Sequence, residues 1–153
     1  MDSLITDIHN KFKSTRSLES FIPILAGYTG YDWRQYISEN TTTYNRAVIP
    51  LPQNMTEFEL IVITWMPGQY TPIHDHAMNG CVLRVLEGKL QECLYNKHIV
   101  VKNKSNLDTG AISYIDNSIG YHQINNISDK RSVSLHLYSP PKHNTNIFTD
   151  KNL

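Results

Sequence analysis

Cysteine is scarce in this 153-residue chain, with only Cys81 and Cys93 and no CxxC pair. That excludes a disulfide-stapled scaffold and a cysteine-rich zinc module, and it suits a reducing, cytoplasmic setting. Charge of one sign is also missing, because 14 Lys and Arg balance 14 Asp and Glu for a formal net charge of zero. Without a field to draw it to nucleic acid or an anionic membrane, the chain is expected to meet a small molecule. Long apolar runs are absent too. "FIPILAGY" is too short and too late for a signal peptide, and nothing approaches a membrane span, so a soluble, unsecreted protein is expected. There is no repeat and no low-complexity linker. The length suits one domain with a core of its own, and a monomer is the working expectation.

What is present divides into two textures. Residues 1–40 read as a small helical cap: "DSLITDIHNKF" places Leu4, Ile5, Ile8 and Phe12 on one helical face behind an Asp/Ser cap, and "SLESFIPIL" and "YDWRQYI" look similar. From Thr41 the chain changes to short β-branched and aromatic runs broken by Pro, Gly and Asn. The predicted strands are 42–48, 57–65, 69–75, 80–86, 88–95, 98–102, 111–116, 121–127 and 131–139. "EGK" at 87–89 reads as a tight hairpin, and "YNKH" at 95–98 as a further reversal. Many short strands without intervening helices imply an all-β sandwich or small barrel over 41–141. The polar tail, 142–153, is expected to be only partly ordered.

The densest chemistry lies in "HDHAMNGC". In an extended strand His74 and His76 project from one face, so two imidazoles can share a metal, although a polar strand end has the same pattern. His122, in "SIGYHQIN", is a third candidate. In "SVSLHLYSPP", Ser134, His136 and Tyr138 alternate with Val133, Leu135 and Leu137. Those polar groups form either the solvent face of an edge strand or an inward row that needs hydrogen-bond partners. Tyr44 and Arg46 are likewise two apart. An arginine there is either a solvated cross-strand partner or a planar fork that captures a carboxylate in two places.

The spacing from Gly68 through His74, His76 and Cys81 to Gly88 resembles the first cupin motif, with cysteine where glutamate is usual. A second, imperfect cupin motif runs from Gly110 to Asn126, with Asp116 and Ser118 in place of its Pro and Gly and His122 one residue late. "YIDNSIGYHQINNIS" and "SVSLHLYSPP" narrow the likeness: from Tyr44 to Pro141 the chain resembles the cysteine dioxygenase family of thiol dioxygenases. That resemblance implies an all-β cupin (double-stranded β-helix, jelly-roll) barrel. It also implies Fe(II) on His74, His76 and His122, and oxidation of L-cysteine to cysteine sulfinic acid with O2.

Further roles follow from the same resemblance. Ser134 and His136 match a hydrogen-bonded relay to the Tyr138 hydroxyl, and Arg46 and Tyr44 match the substrate carboxylate site. Cys81 matches the cysteine that many members join to the tyrosine, here Tyr138, by a thioether. Ser139-Pro140 matches a cis peptide. Thr145 stands where animal members carry a cysteine, and the short segment after Pro141 suggests a thin pocket wall. Three imidazoles leave a divalent metal's charge uncompensated and favour an anionic ligand such as a thiolate, yet they also suit zinc with an activated water. Rival readings are a dioxygenase of 3-mercaptopropionate or cysteamine, and a non-catalytic cupin that binds metal or thiol. Cys93, His9, His98 and His143 read as structural.

Overall fold

Helix α1 spans Asp2–Phe12 and buries Leu4, Ile5, Ile8 and Phe12, the stripe its periodicity predicts. Its N-cap is Met1, which makes no side-chain cap bond, so Asp2 sits in the first turn and meets the helix dipole instead of capping it. A 3₁₀ turn at Leu18–Phe21 leads into α2, Ile22–Gly27, and a second 3₁₀ turn covers Asp32–Tyr36. The computed structural model describes residues 1–149. Among these, no helix is long and apolar enough to cross a membrane.

Ten strands follow: β1 Asn45–Val48, β2 Glu59–Trp65, β3 Ile73–His74, β4 Cys81–Glu87, β5 Lys89–Tyr95, β6 Val101–Asp108, β7 Ile112–Ile115, β8 Tyr121–Asn125, β9 Ser132–Tyr138 and β10 Ile147–Phe148. They form two antiparallel five-stranded sheets, ordered β1-β2-β9-β4-β7 and β10-β3-β8-β5-β6. From β2 onward the chain passes back and forth between the sheets, apart from the adjacent pair β5 and β6, which is the layout of a double-stranded β-helix. In the first sheet both faces are covered. Leu60, Val62, Leu135 and Leu137 join the helices in one apolar cluster, where Phe12 stacks on Phe58 at 5.4 Å. Ile61, Ile63, Leu83 and Val85 pack inward against Leu90 and Ile124 of the second sheet. Burial on both sides is why "ELIVITW" is apolar throughout instead of alternating.

Several expectations change. "EGK" is not a hairpin: Gly88 is a corner at which the chain leaves one sheet for the other. Its φ is +81°, and a Cβ there would stand 2.4 Å from Ser132 Oγ, so both conformation and space call for glycine. The expected strand 69–75 shrinks to β3 plus a lone bridge from Tyr70 to Asn125, because Pro72 cannot donate to a ladder. β6 runs well beyond the expected 98–102. It is an edge strand paired only with β5, so its "KNKSN" stretch is polar and reads as loop. Within the expected tail, Ile147 and Phe148 pair with His74 and Ile73, and Phe148 stacks on Tyr121 at 4.3 Å. The last four residues of that tail, 150–153, lie outside the described residues. The Ser139-Pro140 peptide is cis.

The helices and the first sheet share one core, so Leu135, which is completely buried, is a probe of that contact. Leu135→Ala should lower stability by about 2–5 kcal/mol. Val100→Ala, at a half-exposed site, should change it by no more than about 0.5 kcal/mol. Urea denaturation of both variants decides; near-equal midpoints would mean that the helices do not press on this face.

Candidate metal centre and substrate cavity

β3 and β8 are antiparallel neighbours in which His74 stands directly opposite His122. His76 follows two residues after His74, so all three rings meet, with one nitrogen from each lying within 4.8 Å of the others. The late position of His122 in its motif therefore does not take it out of the cluster. Each ring is set from behind. His74 Nδ1–H donates to the Pro72 carbonyl at 2.8 Å, and His122 Nδ1–H donates to Glu92 Oε1 at 2.7 Å. A neutral imidazole protonated at Nδ1 keeps its lone pair on Nε2, the form a metal needs.

His76 is held through its backbone. Asn117 accepts from the His76 N–H and donates to its carbonyl, at 2.8 and 3.0 Å. Asn117 is presented by a turn in which Asp116 accepts from the Ser118 and Ile119 N–H groups. Hydrogen bonds from Ser118 and Tyr114 bring the Asp116 carboxyl down to about 2. Neither ring nitrogen of His76 has a hydrogen-bond partner, although both are buried. An orphaned imidazole between two others, all three nitrogens converging, fits a divalent metal. Burial pushes all three histidines below their usual pKa, and in His76 the neighbouring rings add to it, so the lone pairs stay available at neutral pH.

Facing this cluster is the inner side of β9, the central strand of its sheet. Trp65 Nε1–H donates to Ser134 Oγ at 2.8 Å, Ser134 Oγ lies 2.8 Å from His136 Nε2, and His136 Nδ1 lies 3.0 Å from the Tyr138 hydroxyl. Burial keeps His136 neutral, so one of its nitrogens donates while the other accepts. The solvent-face alternative for this strand is therefore excluded: Ser134 and His136 are buried. Cys81 is the register partner of Tyr138 on β4, and its Sγ lies 4.0 Å from His136 Nδ1. It is absent from the histidine cluster. Burial raises both the Cys81 thiol and the Tyr138 hydroxyl, so each keeps its proton.

One cavity of about 210 Å3 joins these groups, lined by the three histidines, His136 and Tyr138, with Tyr44, Arg46 and Glu59 on the β1 and β2 side. Tyr44 lies just before β1 and stacks on Trp65 at 4.8 Å. The far wall is more complete than the short tail suggested. Asp75 lines the same cavity and accepts from His143 Nε2 at 2.9 Å and from Asn146 N and Nδ2 at 2.9 and 2.6 Å. That grip brings His143, Thr145 and Ile147 to the cavity. Burial tends to raise the Asp75 carboxyl, but the bonds from His143 and Asn146 hold it below its usual value.

Residue-pattern reasoning missed Glu92, Trp65, Asn117, Glu59 and the role of His143. Glu92 did leave a signal, since it alternates with Leu90 and Leu94 and so sits on an otherwise apolar strand face. Glu59 left the same signal ahead of Ile61 and Ile63. Asn117 and His143 act from turns, where no periodicity marks them. Cys93 lies buried in a small cluster with Ile73 and Tyr95, as expected of a structural cysteine.

Three histidines inside a double-stranded β-helix define a metal-binding cupin. The family model described as cysteine dioxygenase type I matches residues 4–151. Cysteine dioxygenase type 1 of Homo sapiens is 32% identical over 148 residues, covering 90% of this chain and 73% of that protein. The Danio rerio protein of the same name is 28% identical over 162 residues, covering 99% and 80%. The chain belongs to the cysteine dioxygenase type I family, and with it to the oxygenases. Among solved structures, an uncharacterized conserved protein with a double-stranded beta-helix domain from Klebsiella pneumoniae superposes with a TM-score of 0.64. It is 16% identical, with coverage of 80% of this chain and 98% of that one, a likeness that supports the fold alone.

The Glu92 carboxylate, which also accepts from Ser113 Oγ at 2.7 Å, orients His122 from behind. Glu92→Ala should weaken metal binding roughly 10- to 100-fold, the usual effect of losing such a partner. Competition against a chelator of known affinity measures it. Unchanged affinity would mean that strand pairing alone fixes the ring.

Proposed function

We propose that the protein is an Fe(II)-dependent dioxygenase that converts L-cysteine and O2 to cysteine sulfinic acid, with His74, His76 and His122 as the iron ligands. The observation that carries this reading is the convergence of three neutral imidazoles, a tyrosine relay and an arginine on one cavity sized for an amino acid. Iron, when bound, supplies the attraction for a thiolate and the activation of O2.

The chain's own residues do the rest. Arg46 receives the substrate carboxylate through its planar fork, and Tyr44, its ring fixed against Trp65, flanks that site. Tyr138 presents a protonated hydroxyl as a hydrogen-bond donor at the reacting end of the substrate. His136, Ser134 and Trp65 hold that hydroxyl in place, so little reorganisation is needed during reaction. Cys81, paired in register with Tyr138, is the partner for a thioether to the tyrosine ring. Forming it removes the thiol hydrogen and one ring hydrogen, with O2 as oxidant, and locks the ring. The protein acts as a cytoplasmic monomer on small molecules, with no nucleic acid or membrane partner.

Each of His74→Ala, His76→Ala and His122→Ala should nearly abolish both iron content and cysteine-dependent O2 uptake. Elemental analysis and an oxygen electrode read the two quantities separately, and full iron occupancy in His122→Ala would remove that residue from the ligand set. After repeated turnover with cysteine, intact-mass measurement should reveal a species about two mass units lighter, a change opposite in sign to oxygen addition on sulfur. Cys81→Ser and Tyr138→Phe should lack it. A Cys81 that stays fully alkylatable after many turnovers would mean that the thiol only packs.

A further inference from the structure

His143 lines the cavity from the C-terminal segment, and its Nε2 lies 2.9 Å from Asp75 Oδ1. The hydrogen bonds from His143 and Asn146 hold the Asp75 carboxyl below its usual value, so it is ionised at neutral pH. A carboxylate can only accept, and the neutral ring therefore carries its proton on Nε2 and its lone pair on Nδ1. Among the described residues, Nδ1 has no hydrogen-bond partner. A free basic nitrogen on a ring whose tautomer is fixed by a carboxylate is the arrangement of a general base and its orienting group.

A thiol is mostly protonated at neutral pH, with only a few per cent present as thiolate. To reach a metal as thiolate it must shed that proton in the cavity, and few groups there can take it. The nitrogens of His74, His76 and His122 converge on one another. Both nitrogens of His136 are engaged, by Ser134 and by Tyr138, and the ring is buried away from solvent. Tyr138 and Cys81 keep their own protons, and the Arg46 guanidinium has no lone pair to offer. Glu59 and His143 are left. An imidazole matches a thiolate in basicity more closely than a carboxylate does, and an imidazolium formed at His143 would face the Asp75 carboxylate. The His143 side chain is also 27% exposed, which gives a proton taken from the cavity a way out to water.

We propose that His143, oriented by Asp75, is the catalytic base that receives the thiol proton of the incoming substrate. The S–H bond breaks, its electron pair stays on sulfur, and the proton forms an N–H bond at Nδ1 before passing to water. Nothing is oxidised or reduced in this step. The inference rests on the thiol-binding role proposed above and adds a residue to it. The charged and titratable groups that share the cavity with His143 are Asp75, the three cluster histidines, His136, Tyr138, Tyr44, Arg46 and Glu59.

Cobalt-loaded protein kept free of O2 isolates the step from turnover, because a thiolate on cobalt gives a charge-transfer band in the near ultraviolet. His143→Gln keeps a donor for Asp75 but has no basic nitrogen. On stopped-flow mixing with L-cysteine near neutral pH, it should form the band about tenfold or more slowly than the unsubstituted protein at equal cobalt content. The deficit should shrink as the pH nears about 8.5, where an ordinary thiol arrives already ionised, and free imidazole should restore part of the rate at neutral pH. A deficit of the same factor at every pH, or none, would mean that His143 only builds the wall, and the inference is overturned. A pH-dependent deficit in Glu59→Gln but not in His143→Gln overturns it as well. Oxygen uptake by the iron-loaded protein tests the parent reading independently. A band that depends on His143 without uptake would sink the dioxygenase reading and leave the base in place, whereas uptake with a band indifferent to His143 would do the reverse.

Discussion

The register of β9 between β2 and β4 is the constraint on which the site depends. A strand has a period of two, so a slip of one residue would turn Leu135 and Leu137 into the cavity and bury Ser134, His136 and Tyr138 under the helices. The helices oppose that slip, because their apolar cluster already includes Leu135 and Leu137. Trp65 opposes it from the other side by donating to Ser134. The helical cap, remote from the metal centre, therefore helps to decide which side chains reach the cavity. Arg84 adds a direct tie, since its guanidinium on β4 donates to the carbonyls of Leu25 and Tyr28.

Burial then sets the charge states. Desolvation penalises imidazolium more than imidazole, so packing three rings together keeps them neutral and spares them mutual repulsion. The same effect protonates Cys81 and Tyr138. Among the described residues, formal charge at the site stands behind the histidine cluster or along the rest of the cavity wall. Glu92 stands behind His122, Asp75 turns toward the C-terminal segment, and Arg46 and Glu59 face the open space. A divalent metal held by these neutral rings would keep its own charge to act on whatever enters.

Much of this arrangement was legible in the amino-acid order because it follows strand alternation. Ser134, His136 and Tyr138 share a face because a period of two puts them there in any sheet, and His74 and His76 keep the same spacing although β3 ends at His74. What alternation does not reveal is which strands become neighbours. That His74 meets His122, or that Cys81 meets Tyr138, depends on pairings distant along the chain, and only resemblance to a family suggested them. Polar edge strands escape for a different reason. β6 has one buried hydrophobic residue, Leu107, and so carries almost no hydrophobic signature. The corner at Gly88 was misjudged because a left-handed glycine between apolar runs serves a hairpin and a change of sheet equally well.

Asp75 stands in the chain between two cluster histidines, and its carboxylate is taken up by the C-terminal segment. The same three residues thus present nitrogen to the centre and a carboxylate to residues 143–146. β10 repeats the link in the backbone, since Ile147 pairs with His74 itself. Detachment of the C-terminal segment would at once open the cavity wall and remove an edge partner from a strand that is only two residues long. The histidine pair and the wall are consequently one mechanical unit, and substitutions in the tail will be felt as disorder at the centre as well as a wider entrance.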